Sequence, residues 1–236
     1  MSVRVKVKTD KIGEYQHLPA VALRGLVIFP GTIVHFDVGR EKSINAINEA
    51  MSNDRMIYLA LLKMSQIQLE FGKLTVGKKM KMFVDFMASD LCRMMQPEIN
   101  LAQVFFSKGI GCGFFGKIQV GNQKILEQLK NMTWDLMHLR FMDYSSTMFN
   151  FHKGDALIPY FFTYDRRLQD VRKCYCLQAL AINAKNHAVI PVYTFDGDVL
   201  DFVKEHCTFE KHQERKQKTP NVELLIDKCE KALTKL

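Results

Sequence analysis

Apolar and polar positions change rhythm several times along the chain, and each change marks an element. Val3, Val5 and Val7 alternate with Arg4, Lys6 and Lys8, the two-residue period of an edge strand within a basic leader at residues 1–17. Apolar runs predict strands over 21–29 and 32–38, separated by the turn residues Pro30 and Gly31. A helix over 41–51 puts Ile44, Ile47 and Met51 on one side, and Met56 to Leu62 reads as a further strand. Ile67, Leu69 and Phe71 alternate with polar residues, as in a half-exposed strand. The phrase K-M-K-M-F-V-D-F over 79–86 predicts a short strand or helix start ending at Asp85. A helical pattern over 90–95 is interrupted by Pro97, and an apolar run resumes over 99–106.

The clearest periodicity lies over 123–144, where Ile125, Leu129, Met132, Leu136 and Leu139 recur at helical spacing and predict a core stripe. Asp135 lies at the edge of that stripe, and His138 and Met142 share its side of the helix. A polar loop follows, then a strand over 156–162, with Pro159 arguing for an edge or a strand end. A helix over 167–184 and a strand over 189–193 come next. Thr163-Tyr164-Asp165 and Thr194-Phe195-Asp196 both carry the residue types of helix N-caps. Residues 205–218 read as a solvated charged helix or tail, and 221–236 as an amphipathic helix on Leu224, Leu225 and Leu233.

At 47% hydrophobic residues over 236 positions, the chain can bury a sizeable core and is neither disordered nor collagen-like. Its six cysteines are irregularly spaced and make neither a disulfide framework nor a zinc ribbon, so plain thiols are expected. The formal charge of +8 tilts the expectation slightly towards anionic partners such as RNA. No apolar run is long enough to span a membrane, and the N-terminus lacks the unbroken apolar block of a signal peptide, so a soluble cytoplasmic protein with no membrane contact is expected.

Two glycine-containing stretches invite a nucleotide reading. G-K-L-T-V-G-K-K over 72–79 has Lys79 where a phosphate loop needs Ser or Thr to ligate magnesium, so a lysine-flanked hairpin turn is expected and no bound nucleotide. Gly111, Gly113 and Gly116 fit a dinucleotide fingerprint by spacing. No helix opens after them, and the ordinary reading is a flexible glycine-rich connection.

The phrases at Leu23-Arg24, F-P-G from Phe29 and V-G-R-E-K-S from Val38 carry a family resemblance. Residues 18–62 resemble the start of the Lon protease N-terminal domain, a PUA-like module that captures substrates. They depart from it at Gly25, where the family has an acid, and at His35-Phe36, where proline and leucine are usual. This resemblance implies a partial, β-rich recognition segment over 1–63, with the boundary at 62–65, and a partner that is unfolded or degron-bearing protein. Lon's own activity would need an ATPase module and a serine–lysine dyad, and neither is found in these residues.

W-D-L-M-H-L-R from Trp134 and F-F-T-Y-D-R-R-L from Phe161 resemble the later half of PIN-like domains, over roughly residues 82–171. These are Rossmann-like α/β folds, many of them Mg²⁺- or Mn²⁺-dependent ribonucleases. The resemblance implies an α/β domain over 64–236 in which Asp85, Asp135 and Asp165 are catalytic metal ligands, with Arg166, Arg167 and His138 on the substrate side. Two or three carboxylates suit such chemistry because they bind a hard cation through oxygen and leave water sites for attack on a phosphodiester. The gap between Asp135 and Asp165 is longer than the family pattern, and only Glu98 and Glu127 stand as candidates for its second acid. Asp165 and Asp196 also read as helix caps, Asp135 as a surface acid, and His138 as an ordinary packed or exposed histidine. Three classes stay open: a metal-dependent ribonuclease, a non-catalytic protein-binding module, and a protein that only assembles with others.

Overall fold

The structure is a computed structural model and describes residues 4–8, 15–19, 55–148, 163–174, 177–182, 189–193 and 197–236. It divides into two compact units, Met1–Arg55 and Met56–Leu236. In the first, β1 (Arg4–Lys8) pairs antiparallel with β2 (Tyr15–Pro19), setting Val5 opposite Leu18 and Val7 opposite Gln16. The alternating valines of the leader do form the expected strand. The strands at 21–29 and 32–38 and the helix at 41–51 lie outside the described residues.

The second unit is mostly helical. Its first helix, α1 (Met56–Glu70), buries Ile57 to Leu62, Met64, Ser65 and Ile67, so its first half is covered on every face. A helix apolar all round has no solvent side to offer and has to sit in the middle of a core. The strand expected over 56–62, and the alternating one over 67–71, are both parts of this helix. A seven-residue apolar run has no period of its own. The continuation K-M-S-Q-I-Q-L-E, rich in unbranched helix formers, settles its conformation. The boundary expected at 62–65 falls inside α1.

Around α1 pack α2 (Val76–Ser89), α3 (Gln96–Lys108), α4 (Ile125–Met148) and α8 (Val222–Leu233). Thr75 caps α2, its hydroxyl accepting from the Lys78 amide, so the lysine-flanked stretch is a helix-to-helix connection and not a hairpin. Pro97 does not interrupt a helix: it sits in the first turn of α3, where a missing N–H costs nothing. The run 90–95, expected to be helical, is the irregular link between α2 and α3. The glycine-rich link 109–116 folds as two short 3₁₀ turns that bury Phe114 and Phe115, and Phe115 stacks on Phe105 at 3.9 Å. The stripe expected on α4 is the one observed: Ile125, Leu129, Met132, Leu136 and Leu139 are all buried.

After α5 (Arg166–Cys174), the helix expected to reach 184 gives way to β3 (Leu177–Ile182), antiparallel to β4 (Val189–Tyr193). Among the described residues of this unit, that hairpin is the whole sheet. The strand expected over 156–162 lies outside the described residues; among the described residues the strand pairs are antiparallel, a Rossmann-like sheet is not shown, and the phrase T-Y-D caps α5. Helices α6 (Gly197–Lys204) and α7 (Phe209–Lys216) follow, the latter solvated as its charge predicts. On α8 the buried face is Ile226, Cys229 and Leu233, while Leu224 is 47% exposed, so the expected apolar face is rotated. Cys92, Cys112, Cys207 and Cys229 are free thiols, and among the described residues no helix is long and apolar enough to cross a membrane.

Leu61→Ala should cost about 2–5 kcal/mol in urea unfolding, because a fully covered leucine leaves a cavity behind it. Leu224→Ala should stay within about 0.5 kcal/mol of the parent. Equal effects would contradict the central placing of α1.

Candidate functional site

The acids predicted from sequence divide into a pair and an outlier. Asp165 precedes α5 and caps it: its Oδ1 accepts from the Arg167 amide at 2.8 Å, while the Asp165 amide donates to Thr163 Oγ1 at 3.0 Å. The Arg167 guanidinium also grips this carboxylate, with Nη2 2.6 Å from Oδ2. That hydrogen bond holds the Asp165 carboxyl below its ordinary range and the guanidinium above its own. Asp135, half-buried on α4, lies in the field of the same groups. Burial raises its carboxyl, Arg167 lowers it, Asp165 raises it and His138 lowers it. The structure thus gathers Asp135, Asp165, Arg167 and His138. The glycine-rich link is beside them, since a Cβ on Gly113 would meet Arg167 Cγ at 3.9 Å. Arg166 and His138 are exposed.

Asp85 does not join this group. It lies on α2, and its Oδ1 is 3.1 Å from His206 Nε2, tying α2 to the turn after α6. Among the described residues no group of three or more His, Cys, Asp or Glu side chains is placed to hold a metal ion. The residues present therefore do not fit the three-carboxylate centre that the PIN-like resemblance implies, and no step through Mg²⁺ or Mn²⁺ is derived. Glu98 is no fourth ligand either. It is 2% exposed on α3 and receives the Arg140 guanidinium of α4, whose Nε is 3.3 Å from Oε1.

Sequence reasoning missed the polar network at the foot of α4. Asp143, 2% exposed, accepts from Tyr193 Oη at 2.9 Å and pairs with Arg172 at 2.9 Å. Burial, reinforced by the Asp143 charge, pushes the Tyr193 phenol well above its usual range. Gln96 of α3 joins through its Nε2, which donates to the Tyr193 carbonyl at 2.9 Å, and α4, α5 and β4 meet on this one buried acid. Its partners lie 29 and 50 residues away, and no local pattern announces them.

Lys79 turns inward. Only 3% exposed, its ammonium donates to Gln68 Oε1 at 3.0 Å and to the Gly72 carbonyl at 3.1 Å, closing the end of α1. Burial lowers its pKa.

Comparison with known proteins bears on the segment that runs into α1. Residues 17–79 match the ATP-dependent protease La (LON) substrate-binding domain. The chain is 55% identical over 51 residues to the Lon protease of Heliobacterium modesticaldum, covering 22% of this chain and 6% of that protein. It is 51% identical over 55 residues to the Lon protease of Clostridium acetobutylicum, covering 23% and 7% respectively. For Lon protease 1 of Bacillus subtilis the figures are 49% over 43 residues, 18% and 6%. The chain thus spans less than a tenth of the length of these relatives. No solved structure matches it. The Lon-like match reaches Lys79, beyond the expected end near Leu62, and so takes in all of α1.

Two measurements follow from this geometry. Because burial raises the Asp135 carboxyl, its ionised form costs stability at neutral pH, and the deficit is recovered as pH falls through its folded pKa towards the ordinary aspartate value. Asp135→Asn should therefore raise Tm near about pH 7, and the gain should shrink towards about pH 4. A loss of stability at neutral pH would count against that placement. Asp143→Ala should cost about 3–5 kcal/mol, since it strands a partly buried guanidinium and a buried phenol. Tyr193→Phe, which leaves the ion pair intact, should cost about 1–2 kcal/mol.

Proposed function

We propose that the protein is a non-catalytic polypeptide-binding module, a Lon-type recognition segment carried on a helical unit. The match of residues 17–79 to a substrate-binding domain carries this reading. The helical unit supplies what a fragment of that kind needs, because the apolar residues of α1 at the end of the matched stretch are covered by α2, α3, α4 and α8. The bound class is unfolded or degron-bearing protein.

The full chain should bind reduced, carboxymethylated lactalbumin, which is permanently unfolded, and ignore the native form of the same protein. Phe29→Asp, within the matched F-P-G phrase, should weaken that binding about tenfold or more while helical circular dichroism is kept. Equal affinity for native and unfolded lactalbumin would sink the proposal.

A second reading, RNA cleavage dependent on Mg²⁺ or Mn²⁺, is favoured by one observation: Asp135 and Asp165, 30 residues apart in the chain, share an electrostatic neighbourhood with Arg167 and His138. Under that reading Asp135→Asn abolishes Mn²⁺-stimulated RNA cleavage without loss of Tm. Absence of any cleavage by the parent chain disposes of it.

A further inference from the structure

Helix α8 is held differently from the other helices around the central rod. It packs chiefly on α1, whereas α2 and α3 pack on each other as well as on α1. Ile226, Cys229 and Leu233 are its buried face, with Val222 and Leu225 partly buried beside them, and these few side chains hold 12 ordered residues in place. The chain that leads to α8 adds no buried side chain to the attachment: α7 has none, and Gln217, Lys218, Thr219 and Asn221 are exposed. An element with few buried contacts and a solvated tether opens at a lower free energy than the body it leans on.

The flank of α1 beneath α8 is of mixed polarity. Tyr58, Ser65 and Leu69 recur at intervals of seven and four residues and so share one side of the rod. Tyr58 Oη donates to Glu230 Oε1 at 2.7 Å, the Cys229 thiol donates to Gln66 Oε1 at 3.9 Å, and Leu69 and Leu233 border one groove. Between Tyr58 and Leu69, Ser65 Oγ is buried and has no hydrogen-bond partner among the described residues, which is costly. Polar groups of this kind suit a surface that meets a docked segment better than they suit a permanent core.

We infer that this flank of α1 is a polypeptide-binding surface with α8 as its internal occupant, and that an unfolded client segment binds there by displacing α8. The inference rests on the reading of residues 17–79 as a substrate-binding segment, a stretch that takes in α1 and leaves α8 outside. The helix itself is the template for what fits: apolar side chains at i, i+3 and i+7, as at 226, 229 and 233, with a carboxylate at i+4 to take the Tyr58 hydroxyl. Folded proteins bury such a stripe and unfolded ones bare it, so the surface selects unfolded chains. While α8 is docked, the client's apparent affinity is reduced in proportion to the fraction of molecules in which it is open.

Hydrogen–deuterium exchange of the parent chain, free and saturated with reduced, carboxymethylated lactalbumin, tests this. Bound client should speed exchange of the amides of residues 222–233 at least about fivefold, while those of residues 129–139 in α4 stay protected. The double variant Ile226→Ala/Leu233→Ala, which loosens α8 from its own side and leaves α1 untouched, should bind the client about tenfold more tightly than the parent. A synthetic peptide of residues 221–236 should compete with the client for that variant, and the same peptide with alanine at 226 and 233 should not. Client binding with α8 exchange unchanged or slowed, or with no gain in the double variant, would overturn the inference and leave the capture of unfolded protein standing. Failure of both parent and variant to bind the client would instead remove that reading, and this inference with it. Should the double variant lose its helical circular dichroism, the exchange pattern of the parent decides alone.

Discussion

Everything in the helical unit depends on the burial of the first half of α1 on every face. Leu59, Leu61, Leu62, Met64 and Ile67 are fully covered, and each neighbouring helix buries its apolar stripe against this one rod. At about 1.5–3 kcal/mol per buried aliphatic side chain, the first half of α1 alone outweighs any of the surface ion pairs. The polar ties work at its edges: Tyr58 to Glu230 fixes α8, and Lys79 to Gly72 closes the turn. They set register and direction and add little to the driving force.

Legibility in the sequence followed the range of the interaction. The α4 stripe was readable because five apolar residues repeat at one helical period. The α7 face was readable because charge on all sides leaves no core to join. The run at 56–62 misled, since an element buried all round shows no alternation, and on α8 Leu225 and Leu233 face the core as expected while Ile226 and Cys229 take the place expected of Leu224. The T-Y-D phrase was legible as a helix cap, and Asp165 does accept from the Arg167 amide while its own amide donates to Thr163, a purely local arrangement that says nothing of the sheet around it.

For the candidate site the same rule holds. Asp135 feels the charges of Asp165 and Arg167, which follow it by some thirty residues, whereas Asp85 meets His206, 121 residues later in the chain. The Glu98–Arg140 and Asp143–Tyr193–Arg172 contacts span 29 to 50 residues and have no signature in composition or spacing. What such buried networks supply is orientation: they are costly to desolvate and therefore tolerate one arrangement of α3, α4, α5 and β4.

The hydroxyl of Tyr58 finds its carboxylate at Glu230, 172 positions downstream. During synthesis on the ribosome the central rod therefore waits, one greasy flank bare, until residues 222–233 have followed it. Closing so long a loop is slow, and the interval exposes a surface to which chaperones bind. Nascent chains stalled short of residue 222 would carry that uncovered flank permanently, and quality-control proteolysis would be their ordinary fate.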